Sequence, residues 1–165
     1  MAQIPLRARD GSIRAYALVD DADFDWLSQW TWRLSAYGYA VRGEHPPGGA
    51  YRTVFMAREV LGLAHGDPRQ GDHEGRDRLD NRRSKLRIAP RAHKDNGQNK
   101  GLQPNNTSGY RGVCWDKRRG CWMARAKIDR RAVHLGYFDT AEAAGAVASA
   151  FRAEHMPFSE DARAA

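Results

Sequence analysis

An α+β fold is predicted by two features of the sequence. Short β-type runs bearing Arg and Lys fill Gly109 to Phe138, and an alanine-rich helical run follows Thr140. The first hundred residues show the same economy, with short strands and short helices separated by turn-forming residues. A chain of 165 residues is long enough for one ordinary domain, or for two small ones that share little core.

Taken in order, Arg14 to Val19 reads as a strand, and Asp21 as the N-cap of a short helix through Gln29. Trp30 to Leu34 and Gly38 to Arg42 read as a hairpin turned at Ala36-Tyr37. Glu44 to Ala50 is a loop by composition, and Tyr51 to Met56 a further strand leading into a helical run that ends near Leu63. From Ala64 to Arg87 the chain is charged and poor in apolar residues, so something other than burial must specify its shape, and a bound metal is one such device. Leu86 to Ile88 reads as a strand and Arg91 to Lys100 as a helix weakened by Gly97. Gly101 to Ser108 reads as a linker, because Pro104 and the paired Asn resist regular structure. The expected division is therefore 1–100, a linker at 101–108, and a second domain at 109–165.

Charge narrows the partner. The chain carries +7 at pH 7, and between Asn105 and Phe138 eight bases face two acids. Such a surface attracts a polyanion, and nucleic acid is the first candidate. No apolar run approaches the roughly 20 residues that span a bilayer, and the N-terminus lacks an apolar signal core, so an intracellular setting is expected. Cys114 and Cys121 form no CxxC pair, which supports neither a disulfide framework nor a zinc knuckle.

Within the basic segment, alternation places Trp122, Ala124, Ala126 and Ile128 on one face and Met123, Arg125 and Lys127 on the other. Val133, Leu135 and Tyr137 alternate with Ala132 and His134 in the next run. Ala144, Val147, Ala148 and Phe151 recur at helical spacing and can cover the apolar side, with Asp139 and Glu142 as a capping box. The remaining face carries Arg125, Lys127 and His134, with Arg111 in the first run and Lys117, Arg118 and Arg119 in the turn. An antiparallel sheet of this kind can enter a major groove, where Arg pairs with guanine and Lys meets phosphate.

NNTSGYRGV, the two tryptophans of the first and second strands, and HLGYFDTAEAA together resemble the plant ethylene-response-factor (Apetala-type) DNA-binding domain, over about Asn105 to Phe158. That resemblance implies a three-stranded antiparallel sheet packed on one helix and reading duplex DNA. It implies DNA contacts for Arg111, Arg125, Lys127 and His134, and a helix-facing Trp122. Cys114 and Asp116 stand where plant members carry arginines, so their base preference does not transfer.

Upstream, an acid-histidine pair at Asp72-His73 is followed by Asp80-Asn81-Arg82, a short strand and an Asn-bearing segment. Phosphodiester hydrolysis calls for a base to activate water and for a divalent cation with oxygen ligands. Asp72 and Asn96 can supply such oxygens, which suit Mg²⁺ or Mn²⁺. DHEGRDRLDNRRSKLR resembles the HNH endonuclease signature, and IPLRARDGSIRAYALVDDADFDWLSQWTW, GYAVR and VFMAREVLGL are similar to flanking pieces of phage-type and intron-type homing nucleases. The resemblance implies a small N-terminal mixed sheet and a ββα-metal unit at about 70–100. It makes His73 the general base and Asp72 and Asn96 metal ligands; Lys94, Asp95 or Asn99 are alternatives at the last position because the spacing from Leu86 is long. Lys85 replaces the middle Asn of the signature, and Glu74-Gly75-Arg76 replaces Ile-Asn-Gly.

The expected function is a metal-dependent DNA endonuclease of homing or mobile-element type, monomeric, with double-stranded DNA held by the C-terminal sheet. The alternative is a sequence-specific DNA-binding or regulatory protein whose HNH site no longer cuts. An RNA-binding protein fits the charge but lacks the stacking motifs of the RRM kind.

Overall fold

The computed structural model describes residues 1–90, 95, 97–129 and 131–164, the last two by backbone alone. It is an α+β protein of small antiparallel sheets and short helices. The chain divides into two compact units, Met1–Ala92 and His93–Ala165. No helix among the described residues is long and apolar enough to cross a membrane.

The first unit opens with a hairpin of β1 (Ala2–Arg7) and β2 (Ile13–Val19). Strand β1 lies in a segment whose own composition carries no clear strand signal. Its alternation is nonetheless clear in the fold: Ile4 and Leu6 of β1 turn inward on the same side as Ala17 and Val19 of β2, and all four are buried. Helix α1 (Asp21–Leu27) follows, with Asp20 rather than Asp21 at the N-cap position. A three-stranded sheet then forms from β3 (Arg33–Leu34), β4 (Ala40–Glu44) and β5 (Arg52–Phe55). The short helix α2 (Met56–Val60) completes this part. Trp32 is fully buried and donates its indole N–H to the Leu27 carbonyl at 2.8 Å, so its one polar atom is satisfied within the core.

A two-stranded hairpin, β6 (Gln70–His73) with β7 (Leu86–Ala89), packs on this core through Leu86. Its connecting loop ends in a 3₁₀ turn, Arg83–Lys85. Half of the helix expected from Arg91 to Lys100 lies outside the described residues; Asp95 is helical and fully buried, but Gly97 to Asn99 form a turn and bend, so the helix does not run to Lys100.

The second unit contains β8 (Val113–Asp116), β9 (Cys121–Ile128) and β10 (Arg131–Phe138) in the order β10-β9-β8, covered by α3 (Ala141–His155). A last turn of helix, α4 (Asp161–Ala164), packs on α3. The helix-facing side of β9 is as expected, with Ala124 and Ala126 buried and Arg125 and Lys127 exposed. The covering stripe of α3 differs. Ala141, Ala144, Gly145, Ala148 and Arg152 are buried, whereas Val147 is 38% exposed. Small residues set the close approach: a Cβ on Gly145 would overlap the Tyr110 ring. The helix cap is Thr140, whose hydroxyl accepts from the Ala143 N–H at 3.1 Å, so the Asp139–Glu142 box does not form.

Gln98, read as part of the first domain, is hydrogen-bonded within the second unit. It accepts from Arg111 through its carbonyl at 2.7 Å and from the Phe158 N–H through its side chain at 3.0 Å.

Candidate active site and candidate nucleic-acid face

The β6–β7 hairpin sorts Asp72 and His73 to opposite sides, as strand geometry requires. Asp72 stands opposite Arg87, and the guanidinium holds its Oδ2 from both Nε (2.9 Å) and Nη2 (2.8 Å). His73 stands opposite Leu86 and turns into the core, 6% exposed. Its Nε2 lies 3.2 Å from the side-chain oxygen of Asn81, itself 1% exposed. The orientation of that amide is fixed by its other end, since Asn81 Nδ2 donates to the Leu79 carbonyl at 3.1 Å. An amide oxygen only accepts, so Nε2 carries the proton and Nδ1 carries the lone pair. Burial is the main cause that pushes the His73 pKa below its ordinary value, against smaller opposing contributions from Asn81, Asp72, Asp77 and Asp80. The imidazole is therefore neutral near pH 7, the form a general base needs.

The apolar-poor loop that delivers Asn81 is shaped by carboxylates, arginines and main-chain pairing. Leu18 donates to the Leu79 carbonyl and Asn81 donates to the Leu18 carbonyl, both at 2.8 Å, which fastens the loop to β2. Arg83 reaches back to Asp23 with two bonds of 2.9 and 2.7 Å, and its own N–H donates to Asp20 at 2.8 Å. Arg82 grips Asp80 at 2.7 and 2.6 Å. These bonds supply the non-hydrophobic constraint that the composition demanded.

Among the described residues no group of three or more His, Cys, Asp or Glu could hold a metal ion. Asp72 offers a hard oxygen donor, and Mg²⁺ characteristically takes only one or two carboxylates, with water and substrate phosphate completing its shell. The donor type fits, but Arg87 already occupies one of the two carboxylate oxygens. Asn96, the other expected ligand, lies outside the described residues, as do Lys94 and His93. Asp95 is buried, and the Lys85 side chain is exposed while its carbonyl closes the hairpin by accepting from Glu74 N–H at 2.9 Å.

On the C-terminal sheet the structure brings Arg125, Lys127 and His134 to one exposed face, with His134 directly opposite Arg125. Lys117, Arg118 and Arg119 are exposed in the β8–β9 turn, which Asp116 organises by accepting from the N–H groups of Arg118 (2.9 Å) and Arg119 (3.2 Å). Arg111 is not on a strand. It precedes β8, is half-buried, and directs its guanidinium to the Gln98 carbonyl at the wall of a cleft of about 760 Å³.

Tyr137 also differs from expectation. The register slips between His134 and Gly136, so Tyr137 leaves the Val133 side and joins His134 on the exposed face. Gly136 makes this possible with φ 132°, a backbone conformation that side-chain-bearing residues rarely adopt. Phe138 takes the inward place beside Trp122 and Leu135. The exposed ring of Tyr137 lies 4.6 Å from His134, with the Arg119 guanidinium 4.4 Å from its centroid. The signal for this in the sequence is the glycine inside a strand pattern.

Comparisons with protein-family models, curated proteins and solved structures gave no match.

Proposed function

We propose that the chain is a DNA endonuclease of the homing or mobile-element type, acting inside the cell on double-stranded DNA with Mg²⁺ or Mn²⁺. The observation that carries this reading is the buried, neutral His73 whose Nε2 is held by Asn81. His73 Nδ1 accepts a proton from water as the oxygen attacks phosphorus; the bond from phosphorus to the 3′-oxygen breaks, and the leaving oxygen takes a proton from solvent. Asn81 keeps the ring in the one tautomer that can do so and stabilises the imidazolium that forms. Asp72 supplies an oxygen donor beside the hairpin; a divalent cation bound there would offset charge on the scissile phosphate. Arg125, Lys127, His134 and the Lys117–Arg119 turn hold the duplex, with Lys contacting phosphate and Arg reading base edges.

The test is incubation of supercoiled plasmid carrying the selected binding sequence with Mg²⁺ or Mn²⁺. Nicked product is expected, and His73→Ala abolishes it while binding persists. Clean protein that binds but never nicks that plasmid overturns the reading.

One observation favours a second reading, a DNA-binding or regulatory protein with an inactive site. Arg87 neutralises Asp72, which weakens its hold on a cation. Under that reading Arg87→Ala restores no cleavage in either metal, and binding through the C-terminal sheet is the whole activity.

A further inference from the structure

One face of the β3–β4–β5 sheet carries rings that the core does not use. The register places Arg33, Val41, Gly43, Thr53 and Phe55 on this face. Tyr51 packs against Gly43, where a Cβ would come within 2.6 Å of the phenol oxygen and 2.8 Å of the ring. Arg33 fixes that phenol by donating to its oxygen at 3.1 Å. Phe55 meets Tyr39 at 5.8 Å, and Tyr39 meets His73 at 5.8 Å. The guanidinium of Arg78 lies 5.0 Å from the centre of the Tyr39 ring. Tyr51 is 51% exposed and Phe55 37%, whereas Trp32 in the same unit is fully buried.

We propose that this face is a stacking platform for unpaired nucleotides. Its occupant is a short stretch of single-stranded nucleic acid running up to His73. Three features select that occupant. Exposed ring faces stack on bases of any identity, and arginines set among them meet the sugar-phosphate chain. A row of rings without cations would equally suit an apolar protein surface, and Arg33 and Arg78 argue against that. The row ends at Tyr39, whose ring centre lies 5.8 Å from that of the buried His73, so a strand lying on it runs toward the base. The assignment rests on reading His73 as the point of attack. It adds that the strand is locally unstacked there, so a bubble, flap or gapped duplex is a better substrate than intact duplex.

The test uses the full chain in EDTA, so that no cleavage enters the measurement, with a 12-nucleotide oligo-dT bearing one 2-aminopurine. Binding is expected to quench the probe. Tyr51→Ala and Phe55→Ala together should weaken binding by about 5- to 100-fold and abolish most of the quench. Tyr51→Leu should show the same loss of quench, because it keeps apolar bulk without a ring, whereas Tyr51→Phe should behave as the unaltered chain. A duplex of matched length should bind each variant about equally. Unchanged oligo-dT affinity and quench in the double variant overturns the platform. So does an equal loss for single strand and duplex. Plasmid nicking in Mg²⁺ or Mn²⁺ tests the nuclease reading separately, so either can fail without the other.

Discussion

Replacing Asn81 tests whether the His73 ring is set by its neighbour or merely packed beside it. Asn81→Ala removes the buried acceptor for His73 Nε2 (3.2 Å) and the half-buried donor to the Leu79 carbonyl (3.1 Å). Each lost hydrogen bond costs about 0.5–1.5 kcal/mol, and a buried partner left unsatisfied adds roughly 1–3 kcal/mol, so a loss of about 2–6 kcal/mol is expected. Chemistry should suffer more than stability, because the tautomer is no longer fixed: nicking should fall on the order of 10²-fold or more, within the range for acid–base groups. The sign of the pKa change separates a positioning role from a structural one. Asn81 raises the His73 pKa, so Asn81→Ala should lower it further, whereas Asn81→Asp places a negative charge there and should raise it. Nitrogen-15 NMR of the imidazole through a pH titration reads both tautomer and pKa without needing cleavage. A proton on Nδ1 in the unaltered chain, or pKa shifts of the same sign in the two variants, refutes the reasoning.

Three further outcomes are expected. The folded chain holds the His73 pKa below the unfolded value, so the unfolded state binds the extra proton; stability is fully present above about pH 6.5 and is lost as pH falls below it. Denaturant titrations across pH 4.5–7.5 should show this slope, and His73→Gln should flatten it. Arg152→Met in the second unit should destabilise by about 1.5–3 kcal/mol, because a half-buried carboxylate loses its charge-assisted hydrogen bonds; Arg152 bonds Asp161 at 2.7 and 3.0 Å and the Arg111 carbonyl at 2.7 Å. Burial pushes the Asp161 pKa up, but bonds from Arg152, Ser149 and Ser159 outweigh it and hold the carboxyl well below the usual range, so this stability persists well into acid. Filter binding of duplex DNA against salt should give a log–log slope of about −4.5, from Lys117, Arg118, Arg119, Arg125 and Lys127, rather than the roughly −7 that all eight bases of the segment would give.

What the sequence disclosed and what it hid follow from the range of the interactions. Alternation along β9 is local, and it sorted Trp122, Ala124 and Ala126 from Arg125 and Lys127 correctly. Strand β1 was missed because Ile4 and Leu6 are flanked by Pro5 and polar residues, and only pairing with β2 gives them an inside. Tyr137 was placed on the wrong face because a period of two cannot register a bulge, and one extra residue reverses every side chain beyond it. In α3 the apolar letters Val147 and Phe151 drew attention from Gly145 and Arg152. Close packing selects the smallest side chains, and Arg152 is buried only because Asp161 and a carbonyl wait for it. At the candidate active site His73 and Asp72 were recognisable from their residue types. Asn81 had no assigned role, since its value depends on a contact across eight residues and on the pinning of its loop to β2.

The basic composition therefore serves two separate ends, and burial distinguishes them. Arginine far outnumbers lysine in this chain. Attraction to a polyanion would be served as well by lysine, so the preference needs another cause. The fold supplies it. Arg58 alone donates to three carbonyls, those of Ala64 (2.8 Å), Asp67 (3.2 Å) and Arg69 (2.8 Å), and so closes a loop that has almost no apolar residues. Arg83 ties a distant loop to α1, and Arg152 ties α3 both to Asp161 and to the Arg111 carbonyl. A planar fork with five donors can bridge two or three acceptors at once, which an ammonium on a flexible stem does poorly. In Met1–Ala92 and in His93–Ala165 alike, arginine does part of the work that leucine and valine do in a larger core. Under the proposed function, net charge consequently overstates how many cations would meet DNA. The cations left for that role are those that remain exposed on the β9 face and in the β8–β9 turn, and the arginines that bind carbonyls belong to the fold.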